Sequence, residues 1–169
     1  MTHEDYKKAM MYWDNKAEQI MPQEELTKEV LAYIQDNNTC ALATGSKDFI
    51  RCTPIEYTYH HHAFWMFSEG GMKFKGLESN SHVCLAIFDR YENFGQLKGM
   101  QVMGKAELIV PFSKEYEEAA KIKHIPLEAL KQLPSPMHLI RIQAEEIIFL
   151  NTDFKKKGYD SRQVLHPAQ

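Results

Sequence analysis

The residue types best suited to chemistry are concentrated between Phe64 and Leu77, in the run Phe-Trp-Met-Phe-Ser-Glu-Gly-Gly-Met-Lys-Phe-Lys-Gly-Leu. An aromatic stretch ends in the hydroxyl of Ser68, passes through Gly70-Gly71 and reaches Lys73 and Lys75. Backbone N–H groups of a glycine-rich turn and of a helix start can point at an anion, and a lysine adds a full charge. The pattern therefore suits a phosphate. Any strand that runs into a turn can resemble it, so the surroundings decide. Arg51 supplies a second cation. If the strands on either side of His60-His61-His62 pair as a hairpin, Arg51 and Ser68 come close, and Lys73 joins them on one rim.

Other chemistries fit less well. Three consecutive histidines on a strand or tight turn point alternately to opposite sides, so they do not converge on one metal ion. A solvated hairpin tip is the better reading of His60-His61-His62. No Gly-x-Ser-x-Gly elbow surrounds Ser68. Glu145 and Glu146 are adjacent on a strand and face opposite ways, which does not suit a glycosidase pair. Cys40, Cys52 and Cys84 are an odd, widely spaced set in apolar runs. They read as inert, reduced core thiols of a cytoplasmic protein, not as a disulfide frame.

Those side chains need a frame, and 169 residues are enough for one domain. A net charge of -3 provides no basic field for nucleic acid. The polar, acidic N-terminus predicts no signal peptide, and no apolar run approaches the ~20 residues needed to cross a bilayer. Thr2 to Asp5 resembles a capping box ahead of Tyr6, Met10, Trp13 and Ala17. Pro22 opens a second helix that Asn37-Asn38 closes. Strands are predicted over 39–44, 51–59, 63–68, 82–88 and 99–110, with Pro54 marking an edge and Gly104 a bend or bulge. A helix capped by Ser113 and a helical stretch after Pro126 follow. Residues 138–142 and 147–150 read as a closing hairpin, and the basic tail 154–159 as peripheral. The expectation is mainly β: six to seven short antiparallel strands closed into a barrel, with helices over its open ends.

The order of these parts resembles the FMN-binding split barrel family, related to pyridoxamine 5'-phosphate oxidase. The resemblance covers about Thr39 to Leu150 and rests on three anchors. One is Arg51-Cys52-Thr53-Pro54-Ile55. Another is Phe67-Ser68, a small-residue turn, Lys73, Leu77 and the Asn80 break. The last is Val102-Met103-Gly104-Lys105-Ala106-Glu107. A single split-barrel domain is expected, with residues 1–38 as N-terminal helices, 39–150 as barrel core and 151–169 as tail.

Carried over by position, the resemblance implies that Lys73 and Ser68 bind the FMN phosphate. Arg51 or Thr53 is the second phosphate or ribityl contact, and Pro54, Ile55 and Phe67 border the isoalloxazine ring. It also implies a homodimer with flavin between the subunits, the partner's Lys98 to Gln101 reaching the cofactor. Trp13, Phe64, Trp65, Phe67, Phe88 and Phe94 offer aromatic surface to bury in such a dimer. Met72 stands where many members have an arginine, with Lys75 as its substitute, and Gly76 stands where asparagine is common. The C-terminal Trp and Arg pattern of the true oxidases is missing, which argues against pyridoxamine phosphate oxidation itself. The implied activity is an FMN-dependent oxidoreductase that takes electrons from NAD(P)H and passes them to a small aromatic or quinone-like acceptor. The alternatives are a non-catalytic module for flavin, haem or pyridoxal phosphate, with His82, His138 or the His60 turn as axial ligand to haem, and a deazaflavin in place of FMN.

Overall fold

A computed structural model describes residues 2–15, 19–91, 93 and 95–167 of the chain. Ala17, Phe94 and the Trp13 side chain, named above, lie outside the described residues. Eight strands form one antiparallel sheet. They are β1 (Thr39–Ser46), β2 (Phe49–Glu56), β3 (Thr58–His60), β4 (Ala63–Ser68), β5 (His82–Phe88), β6 (Lys98–Ile109), β7 (His138–Asn151) and β8 (Arg162–Leu165). The helices are α1 (His3–Asn15), α2 (Gln23–Asp36), α3 (Lys73–Leu77), α4 (Lys114–Ile122) and α5 (Leu127–Lys131), and a 3-10 turn spans Thr152–Lys157.

The strand order is β2-β1-β5-β6-β7-β4-β3, with β8 added to β7. The sheet curls so that its edge strand β2 approaches β4, the neighbour of the other edge strand β3, without forming a ladder. This is a split barrel, and the seam lies between them. Its inside follows from strand alternation. Leu42, Phe64, Met66, Leu85, Ile87, Val102, Ile140 and Ile142 all turn inward and are buried. Burial of each such side chain contributes about 1.5–3 kcal/mol against exposure.

α2 packs Leu26, Val30, Tyr33 and Ile34 into one end of this core. α3 packs Phe74 and Leu77 against it from the other. α4 and α5 do not close an end, as the sequence suggested. Their Tyr116, Ala119, Ala120 and Leu130 form a separate cluster outside the barrel wall, over Ala63, Trp65, Ile109 and Leu139. The described side chains of α1 are exposed, Tyr6, Met10 and Met11 among them. The Thr2–Asp5 capping box is present, with Thr2 N–H donating to Asp5 at 2.9 Å and Asp5 N–H to Thr2 Oγ1 at 3.2 Å. The Thr2 N–H, together with the Thr2 hydroxyl that donates to the same carboxylate at 2.8 Å, holds the Asp5 carboxyl below its usual range.

Four expectations need correction. The closing hairpin is one strand, β7, since both halves pair continuously with β6. The register slips between Met103 and Gly104, which absorbs the extra residue Glu145 as a bulge. A Cβ on Gly104 would lie 2.3 Å from the Gln143 carbonyl oxygen, so only glycine fits. The tail is structural: Phe154 is fully buried and residues 162–165 make the eighth strand. Cys52 is exposed and Cys84 half-buried on the outer face; only Cys40 is a core thiol, pushed up to about 12 by burial. Finally, residues 49–60 are two strands broken at Tyr57. β2 pairs with β1, β3 pairs with β4, and no β2–β4 hairpin exists.

Candidate functional site

Strand alternation turns Trp65 and Phe67 outward, under α4, and Met66 and Ser68 inward, so β4 delivers the Ser68 hydroxyl to the barrel rim. The chain then reverses through Gly70 (φ +141°) and Gly71 (φ +104°), backbone conformations that side chains with a Cβ rarely adopt. The reversal folds Lys73 back over the turn. Its Nζ donates to the Gly70 carbonyl oxygen. Ser68 Oγ donates to that same oxygen at 3.2 Å and accepts the Gly70 N–H at 3.3 Å. Lys73 is only 6% exposed.

Close packing fixes α3 in this position. A Cβ on Gly76 would lie 2.9 Å from Gly45 N and 3.0 Å from Thr44 Oγ1. That contact accounts for glycine here, since an asparagine would push α3 off β1. Thr44 lies opposite Arg51 in the β1–β2 ladder, and both share a face at this rim. Arg51 therefore reaches the site across β1 and α3, not through a hairpin with β4. Burial, and then the Arg51 charge, pulls the Lys73 pKa below the ordinary lysine value.

Among the described residues, neither Arg51 nor Lys73 has a carboxylate at ion-pair distance. Lys28, Lys105, Lys123, Arg141 and Lys157, by contrast, each have one. Thr44 Oγ1 is buried with no hydrogen-bond partner. Two cations, two hydroxyls and a glycine turn, with no counter-ion among the described residues, make a donor set whose chemistry suits an anion. α3 has five residues, too few peptide dipoles to add much field. The attraction rests on the side chains and the turn.

The anticipated residues divide. Arg51, Ser68, Lys73 and the exposed Met72 gather at the rim. Thr53, half-buried, is two residues along β2 on the same face. Pro54 is exposed on the outer face, and Ile55 packs against the core about 13 Å along the strand from Arg51. The Phe67 backbone borders an open groove with Ser68, Glu69, Gly70, Gly71 and Met137, but its ring packs edge-on to Tyr116 at 5.2 Å. The Lys75 ammonium lies over the Phe49 ring at 4.9 Å. The Lys98 ammonium lies over Tyr33, at the opposite end of the barrel. Sequence reasoning missed Thr44, whose inward register only strand pairing reveals. It also placed His138 only as an axial-ligand candidate. His138 lies opposite Ser68 in the β4–β7 ladder, its ring 4.4 Å from Phe74.

The histidine run is not uniform. His61 and His62 occupy the turn, and His61 pairs with Glu118 at 3.1 Å. His60 is drawn in and stacks on Trp65 at 4.7 Å and 8°. Burial pulls its pKa down.

A sequence model of the pyridoxamine 5'-phosphate oxidase family matches residues 26–151. No protein of curated function matches the sequence. Solved structures share the fold. An FAD-binding protein from Mesorhizobium loti is 18% identical with a TM-score of 0.57, over 72% of this chain and 89% of its own. The haem storage protein HutZ from Vibrio cholerae is 18% identical with a TM-score of 0.59, over 74% and 92%. ChuZ from Campylobacter jejuni is 14% identical with a TM-score of 0.64, over 99% and 72%. No helix among the described residues is long and apolar enough to cross a membrane.

Proposed function

For a chain that belongs to the pyridoxamine 5'-phosphate oxidase family, we propose a flavin-binding role in which Lys73, Ser68 and Arg51 hold the phosphate of FMN. The observation that carries this reading is the pair of cations without a counter-ion beside an orphaned buried hydroxyl. A phosphate supplies what all three lack. Thr53 borders the ribityl chain, the backbone around Pro54-Ile55 edges the ring, and Met72 shields the turn from water. The bound flavin would supply two-electron chemistry between NAD(P)H and a small aromatic or quinone-like acceptor. The residues of this chain bind and orient it, and no general acid or base is assigned among them.

A second copy of the chain is the partner we propose. The outer faces of β2, β1 and β5 carry Ile50, Cys52, Pro54, Ala41, Ala43, Cys84, Ala86 and Phe88. Ile50 and Phe88 are 81% and 67% exposed. Small and apolar side chains on this outer wall suit a twofold interface beside the cradle. Three free thiols suit a reducing, cytoplasmic setting.

Haem is the second reading. It is favoured by His138, exposed at the same rim as Ser68, and by the haem-storing structural relative. A visible spectrum of the purified protein, repeated on the supernatant after heating, separates the two. A two-band yellow spectrum released as FMN is expected. A Soret band would transfer the site to haem, and a colourless protein that takes up no added FMN would remove the flavin reading.

A further inference from the structure

The acceptor now held by the cradle belongs to the chain itself. One oxygen, the carbonyl of Gly70, accepts from both the Lys73 ammonium and the Ser68 hydroxyl. It stands where an anion oxygen would stand. Among the described residues, the N–H at the other end of the same peptide, on Gly71, has no hydrogen-bond partner. The Gly71 carbonyl, by contrast, is engaged by Phe74 N–H at 3.2 Å. A Cβ on Gly70 would meet nothing within 4 Å, and one on Gly71 only the end of Lys73 at 3.6 Å. The peptide between them has room to turn.

We propose that the Gly70–Gly71 peptide is an anion-operated switch: without ligand its carbonyl occupies the cradle, and on phosphate binding it rotates by half a turn and presents the Gly71 N–H instead. This rests on the phosphate reading above and adds how the site is regulated. The rotation exchanges a lone pair that repels an anion for a donor that attracts one. It also frees Lys73 and Ser68 from the carbonyl at the moment the phosphate needs them. Both residues are glycine, so the rotation meets no Cβ barrier in either state. A half-turn carries the Gly71 φ from +104° to about −76°. That is a conformation any residue accepts. The ligand-free state requires glycine at position 71 and the bound state does not.

The sign of one substitution follows. Gly71→Ala strains the carbonyl-in state alone, so FMN and inorganic phosphate should bind roughly five- to one-hundred-fold tighter than to the parent. Titration calorimetry of the parent, Gly71→Ala and Lys73→Ala full-length proteins reads this out. Equal or weaker binding to Gly71→Ala, with binding lost in Lys73→Ala, would overturn the switch and leave the cradle standing. Binding to Lys73→Ala as tight as to the parent would overturn the cradle, and the switch with it. Should Gly71→Ala not fold, the amide spectrum of the parent decides. Phosphate should move the Gly71 N–H strongly downfield as it gains an acceptor, and an unmoved Gly71 resonance would overturn the switch.

Discussion

Two buried polar clusters in this molecule are built on opposite terms. Gln163, 3% exposed, ties the tail strand to the segment before α2. Its Oε1 accepts the Met21 N–H at 2.9 Å, and its Nε2 donates to the carbonyls of Gln19 at 3.1 Å and Asp160 at 2.7 Å. Nearby Asn151 accepts the Asp153 N–H at 3.0 Å. Every bond there closes within the chain. At the rim, Lys73 and Ser68 share one carbonyl, and among the described residues Arg51 has no carboxylate and Thr44 Oγ1 no partner. The comparison teaches how to tell scaffold from site. A polar group whose partners are complete serves the fold, and one whose partners are missing calls for a further explanation, of which a ligand is one. Incompleteness alone is not enough. Among the described residues the hydroxyl of Tyr116, on α4, and the ring nitrogens of His60 also lack hydrogen-bond partners, yet these rings lie against other aromatic rings and no cation pair.

The sharpest way to break that comparison is to delete one member of each cluster. Gln163→Leu takes the partner from the buried Met21 N–H and one donor from each of the Gln19 and Asp160 carbonyls, so stability should fall by about 3 kcal/mol while FMN affinity stays put. Lys73→Ala should do the reverse. Loss of a charge-assisted partner should weaken FMN by roughly thirty-fold, near 2 kcal/mol, with denaturation midpoints almost unmoved. If both variants lost stability alike, the distinction would fail. Thr44→Val sharpens it further. The hydroxyl has nothing to lose in the ligand-free protein, so stability should change by less than about 0.5 kcal/mol or rise, as chemical denaturation will show.

The smallest effect is one of pH. Lys73 titrates below the ordinary lysine value of 10.5 in the folded chain. Between the two values the unfolded chain holds a proton that the fold has released. Ligand-free stability therefore rises with pH in that window. FMN affinity should move the opposite way, falling as Lys73 loses its charge. Paired stability and binding curves from neutral to alkaline pH would show opposite slopes.

Much of the barrel was legible because it rests on local rules. The capping box at Thr2, the Ser113 cap and the bulge at Gly104 each follow from chemistry within a few residues. The Ser68-to-Lys73 element was legible for the same reason, since turn, hydroxyl and cation are contiguous. What failed depended on pairing between distant segments. Residues 143–146 fall between the two predicted strands 138–142 and 147–150, yet opposite β6 they continue one strand with Glu145 as its bulge. Arg51 was drawn toward Ser68 through a hairpin that does not form. It arrives instead because α3 lies on β1, a contact set by Gly76 and Thr44 that no local pattern encodes. Phe154 reads as part of a basic tail, but it inserts against Phe149 at 5.3 Å.

The central claim is that this rim recognises a phosphate as part of a flavin. It is tested most directly by titrating the parent and Lys73→Ala proteins with FMN and with riboflavin, which differ only in that group. The parent should prefer FMN by about thirty-fold or more, and the variant should lose most of that preference. Equal affinity of the parent for the two flavins would contradict the assignment of Lys73, Ser68 and Arg51 to the phosphate.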